Sequence, residues 1–222
     1  MKMMTEETRQ WLLSSSIQAI EETRIRINLL VEHPELFNIS KELSQFDLFI
    51  SMLVCDFYVA IKLYCQANQR WEQIFIVKQI YTMMNESTKK IIGYPSTNSK
   101  SSTSGKLNYW EKAVKPYACQ NEAELLEEYE LITEELREYS KEDFQREIQK
   151  IRGYAVHYEE SLDSLALFNE LNSLNVEETF QLLIKWANPI ERMSQFLNKC
   201  YFVLYYIKIQ ELISLNKENN IK

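Results

Sequence analysis

Two histidines, His33 and His157, are the only side chains in this 222-residue chain whose ordinary pKa lies near neutrality, so a search for acid–base chemistry begins with them. Neither belongs to a helical di-iron set. Such a site needs a Glu three residues before the His, and that place holds Leu30 before His33 and Tyr154 before His157. The four cysteines, Cys55, Cys65, Cys119 and Cys200, form no C-x-x-C pair, and with two histidines they assemble no zinc site of ordinary spacing. They do not read as a secreted disulfide framework either, since Cys55 and Cys65 sit in an apolar run where free thiols are usually buried. The three glycines, Gly93, Gly105 and Gly153, lie too far apart for G-x-G-x-x-G or a P-loop. No nucleophile stands in a G-x-S-x-G elbow. The sequence therefore calls for no metal and no cofactor.

The informative segment is Ile151-Arg152-Gly153-Tyr154-Ala155-Val156-His157-Tyr158. An apolar residue precedes the arginine, an alanine and an aromatic flank the histidine, and the stretch lies on an amphipathic pattern in the later part of a helical chain. This combination resembles the signature of HEPN domains, small helical bundles common in bacterial toxin and abortive-infection systems, in which an Arg is followed a few residues later by a His. Arg26 and His33 match the bare spacing as well, but His33 precedes Pro34 at a helix end, so that pair reads as a decoy. Gly153 stands where family members often carry Asn or Asp.

On a helix turning about 100 degrees per residue, Gly153 and His157 are one turn apart and face away from the apolar line of Ile148, Ile151 and Ala155. Arg152 projects about 140 degrees round from His157, so two helices related by a twofold axis converge on one phosphate better than one helix does. The resemblance implies the same arrangement: a composite site across a homodimer interface that cleaves RNA without a metal. It assigns His157 to proton transfer and Arg152 to the phosphate, with 2',3'-cyclic phosphate and 5'-hydroxyl products. The alternative is a noncatalytic HEPN-like module that binds RNA, nucleotide or a protein partner such as an antitoxin, and Gly153 favours it.

These residues need a scaffold, and the sequence describes an all-α one. Thr5 to His33 has a helical pattern that Pro34 ends, and Ser40 is a good N-cap for a strongly apolar helix running through Tyr64. That run is expected to be buried nearly all round, and Asp56 within it to be a buried, hydrogen-bonded carboxylate. A third helix over 69–92 is expected to turn Trp71, Phe75, Ile80 and Met83 or Met84 inward. Residues 95–105, PSTNSKSSTSG, have no apolar anchor and read as a mobile loop.

Leu125, Tyr129, Ile132, Leu136 and Tyr139 are spaced 4, 3, 4 and 3, as are Phe144, Ile148, Ile151, Ala155 and Tyr158; two such seams can pair as an antiparallel hairpin. A shorter helix over 160–173 follows. A long one over 176–216 is expected to be interrupted by a kink at Asn188-Pro189. The sum is a single all-α domain over 1–222, a bundle of about five to seven helices, which the resemblance implies is HEPN-like.

Charge bounds the partners. The chain carries −7 overall, but Glu122 to Asp143 holds ten acids against Arg137 and Lys141, which leaves the remainder near +1. Met84 to Pro116 has six lysines against two glutamates. RNA is thus compatible with local patches, whereas a general nucleic-acid coat is not. The acids at Glu6 and Glu7 interrupt any signal-peptide pattern, and Asp56 and Lys62 are costly in lipid, so a cytoplasmic protein without a membrane partner is expected.

Overall fold

A computed structural model describes residues 5–37, 40–93, 108–121, 123–139, 148, 164–173 and 176–219, and all regular structure among them is helical. Helix α1 spans Glu6–Glu32, α2 Lys41–Gln66 and α3 Arg70–Ile92. A π-helical turn at Trp110–Val114 leads into α4, Lys115–Asn121; then come α5, Ala123–Tyr139, α6, Ser164–Ser173, and α7, Val176–Asn219. The loop expected at 95–105 lies outside the described residues, as does the second seam except for Ile148, which is helical and fully buried.

The ends of the helices follow their capping residues. Thr5 Oγ1 accepts the Thr8 amide at 3.2 Å, with Glu6 and Glu7 complementing the positive end of the α1 dipole. Ser40 Oγ accepts the Leu43 amide at 3.3 Å and starts α2. At the head of α3 the Glu72 carboxylate accepts the Gln69 and Asn68 amides at 3.0 and 2.8 Å, which holds its pKa below the ordinary value. Gly93 closes α3 at φ 88°, a left-handed position that favours glycine. Pro189 lies inside α7, which remains one helix across it, so the expected interruption does not divide the element. The proline instead costs one rung of the hydrogen-bond ladder.

Three long helices run antiparallel to their neighbours. Arg26 meets Asp47 and Arg9 meets Cys65, setting α1 against α2. Tyr58 meets Glu191, and Tyr201 donates to Ser44 Oγ at 3.4 Å, setting α7 against α2. Glu128 pairs with Lys199 at 2.6 Å and Glu135 with Arg192, so α5 also opposes α7. Between them the expected seam closes: Leu125, Tyr129, Ile132 and Leu136 are all buried.

Two tryptophans pin the centre. Trp110, 1% exposed, stacks on Tyr129 at 5.0 Å and 10° and meets Phe46 at 6.0 Å and Phe196 at 5.7 Å. It thereby ties the π turn to α2, α5 and α7. Its indole N–H donates to Thr133 Oγ1 at 2.8 Å, so burial leaves no orphan donor. Trp186 on α7 lies beside Phe57 of α2 at 6.1 Å and donates to Thr88 Oγ1 of α3 at 3.2 Å.

Two expectations need correction. In α3, Trp71 and Phe75 are 53% and 62% exposed; the buried face carries Ile74, Val77, Ile80, Tyr81 and Met84, together with the polar Lys78, Asn85, Ser87 and Thr88. Helix α2 is not buried all round either, because Met52, Val59 and Leu63 reach the surface. It is the one described helix long and apolar enough to cross a membrane by length and composition.

Trp110→Ala should destabilise the fold by about 3–5 kcal/mol in urea unfolding, the usual cost of emptying a large aromatic site. Trp110→Phe should cost far less, because most of the ring packing survives and Thr133 keeps its bond to the Tyr129 carbonyl at 2.6 Å.

Candidate functional site

Arg152, Gly153 and His157 lie outside the described residues. The closest described position is Ile148, four residues before Arg152 and part of the common core. The other arginine–histidine pair is described in full. Arg26 donates through Nε and Nη2 to Asp47 Oδ1 at 3.0 and 2.7 Å, and through Nη1 to Asn198 Oδ1. His33 instead faces Glu35, with Nδ1 3.2 Å from Oε1 at an exposed helix end. The two side chains serve different partners, and no shared phosphate position follows from their spacing.

The buried carboxylate expected at Asp56 is found at Asp47. Asp56 is exposed, whereas Asp47 is 0% exposed between α1, α2 and α7. Burial pushes the Asp47 pKa above the ordinary value, and the charge and hydrogen bonds of Arg26, with a 3.4 Å bond from Ser51, pull against it. Its Oδ2 has no hydrogen-bond partner among the described residues. Around it the ionisations that would add negative charge are suppressed: desolvation pushes Cys200 up to about 12 and raises Tyr201 strongly. The cluster is therefore one carboxylate and one guanidinium set among neutral hydroxyl, amide and thiol groups, an arrangement suited to tying three helices together.

A cleft of about 770 Å³ opens beside the π turn and α5. Its apolar lining includes Ile92, Trp110, Leu126 and Tyr129, while Glu111, Glu127, Glu130 and Glu134 face Lys115 and Arg137. Glu111 pairs with Lys115 at 3.7 Å and Glu134 with Arg137 at 2.7 Å, so Glu127 and Glu130 leave the lining net negative. Such a lining repels phosphate. A shallower groove of about 470 Å³ on α7 contains the Glu135–Arg192 pair with Lys185 and Glu191, and is close to neutral. Among the described residues no three His, Cys, Asp or Glu side chains gather as a metal site would require.

The tie through Arg26, Asp47 and Asn198, and the central role of Trp110, were not foreseen. A signal for the second exists: Asn108 and Glu111 form a reciprocal cap, Asn108 Oδ1 accepting the Glu111 amide at 3.0 Å and Nδ2 donating to Oε2 at 3.0 Å. Comparison of the chain with protein-family models, curated proteins and solved structures finds no match.

A lone charge in the core is costly, so Arg26→Met should reduce stability by up to about 3–5 kcal/mol. Asp47→Asn should cost much less, because it removes the charge whose desolvation raises the pKa and keeps an acceptor for Arg26. The double variant Arg26→Met, Asp47→Leu should recover part of the loss, and thermal and urea unfolding of the four proteins give the order. For a carboxylate raised in the folded state, stability grows as pH falls through the folded pKa. That contribution should vanish in Asp47→Asn.

Proposed function

We propose that this chain is an HEPN-like, metal-independent endoribonuclease, with Arg152 and His157 of two copies forming one site at a homodimer interface. The observation that carries the reading is the Arg152-x4-His157 segment, with its apolar, alanine and aromatic flanks, in a chain that folds as an all-helical bundle. The buried position of Ile148 fits the inward seam expected of that segment.

In this reading His157 takes the proton of the ribose 2'-hydroxyl as that oxygen attacks phosphorus, or returns a proton to the departing 5'-oxygen. One P–O bond forms and one breaks, giving a 2',3'-cyclic phosphate and a 5'-hydroxyl. Arg152 holds the phosphate and stabilises the charge that grows on its oxygens in the transition state. A toxin or phage-defence role in the cytoplasm, restrained by a protein partner, is the setting the resemblance implies.

A second reading has its own observation. Gly153 replaces the polar residue that often follows the arginine in the family, and this favours a noncatalytic HEPN-like module that binds RNA, nucleotide or a protein.

The test is cleavage of a labelled RNA in EDTA. His157→Ala and Arg152→Ala should each lose activity by about 10²–10⁴-fold, the span of a positioned acid–base group, with unchanged circular dichroism. Equal cleavage by either variant rejects the assignment, and RNA binding without cleavage by the wild type selects the noncatalytic module.

A further inference from the structure

Helix α1 is held differently from its neighbours. Of its 27 residues only Ser16 and Leu30 are buried, against nine of 26 in α2 and eleven of 23 in α3. Trp11, Ile17, Ile25 and Val31 are exposed along it. Its main packing surface among the described elements is α2. Polar ties secure it at two points: Arg9 donates to the Cys65 carbonyl near one end, and Arg26 donates to Asp47 and Asn198 near the other.

Local opening costs free energy in proportion to the apolar surface it uncovers, and elements with little buried surface open first. Helix α1 brings few fully buried side chains of its own to that surface. Its departure would also change the state of Asp47, whose Oδ2 lacks a partner among the described residues while α1 is docked. Once α1 leaves, water reaches that carboxylate and replaces the guanidinium. The tie thus resists opening only while Arg26 is present; without it, the docked state seals a lone charge and the open state hydrates it.

We propose that α1 is a detachable strap latched by Arg26, which opens from α2 as a unit while α2, α3 and α7 stay folded. Arg26 is the latch because among the described residues it is the cation paired with Asp47, and because it reaches across α2 to α7 through Asn198. Release exposes the face of α2 that carries Asp47 and Ser51, so the strap controls access to a carboxylate otherwise closed to solvent. The proposal does not depend on ribonuclease activity.

Hydrogen exchange read by mass spectrometry on the full chain tests it. In the wild type, the slowest peptides within Glu6–Glu32 should exchange at least about tenfold faster than the slowest within α3. Arg26→Ala weakens the docked state, so it should raise exchange in α1 by at least about a further tenfold while α3 and the central part of α7 remain at least about tenfold slower than α1. Asp47→Asn, which keeps an acceptor and removes the charge, should change α1 by much less. Exchange of α1 in step with α3 in the wild type overturns the proposal, whether or not the variants fold. So does an Arg26→Ala protein whose α1 exchanges no faster than that of the wild type.

Discussion

A carboxylate sealed in a helical core dictates what may surround it. Asp47 has no access to solvent, so its charge is tolerable only beside a cation, and Arg26 supplies one from a helix that otherwise buries little. Together with the Arg9 bond to the Cys65 carbonyl, this contact helps fix the register of α1 on α2 and, through Asn198, joins both to α7. The neutral side chains nearby follow from the same constraint. A Cys200 thiolate or Tyr201 phenolate would add a second negative charge to a site already short of donors, and both are driven away from ionisation. The apolar core that includes Trp110 and Trp186 supplies the bulk of the cohesion, and the ion pair helps choose one alignment among those the apolar faces allow.

The acidic helix shows how a charge run acquires more than one task. Glu128 and Glu135 lie seven residues apart on α5 and meet Lys199 and Arg192, also seven apart, on α7. They flank the buried seam as the outer charged positions of an antiparallel helical pair do. Glu127 and Glu130, turned away from those contacts, give the adjoining cleft its negative character.

How far the sequence discloses this depends on the width of each apolar stripe. In α5 the stripe is narrow and the opposite face is filled with glutamates, so a 4-3-4-3 spacing identifies Leu125, Tyr129, Ile132 and Leu136 without ambiguity. In α3 apolar residues occur all round, and the face that packs includes Lys78, Asn85, Ser87 and Thr88, which a polarity pattern assigns to solvent. Helix α2 presents the same difficulty with its two aspartates. Asp47 and Asp56 are nine residues apart, about two and a half turns, so they point to opposite sides and one faces the core when the other faces out. Periodicity shows that they differ; only the position of Arg26, on another helix, decides which is inside. The π turn escaped notice because five residues after a polar stretch carry little periodic signal, although the cap at Asn108 and Glu111 marks its start.

The two arginine–histidine pairs differ in the acceptors open to their guanidinium groups. A guanidinium can hold a phosphate when its donors are not already committed to a stronger, less hydrated acceptor. Arg26 has Nε, Nη1 and Nη2 engaged by Asp47 and Asn198, and a phosphate could recruit it only by leaving a core carboxylate without a counter-charge. Sequence spacing is blind to that competition, which is why a short Arg–His motif recurs by chance in helical proteins. Arg152 is preceded by the apolar Ile151 and followed by Gly153, neither of which competes for a guanidinium through its side chain. Its function therefore turns on the acceptors that approach from other helices or from a second copy, with a nearby carboxylate making it a strut and an open face making it an anion ligand.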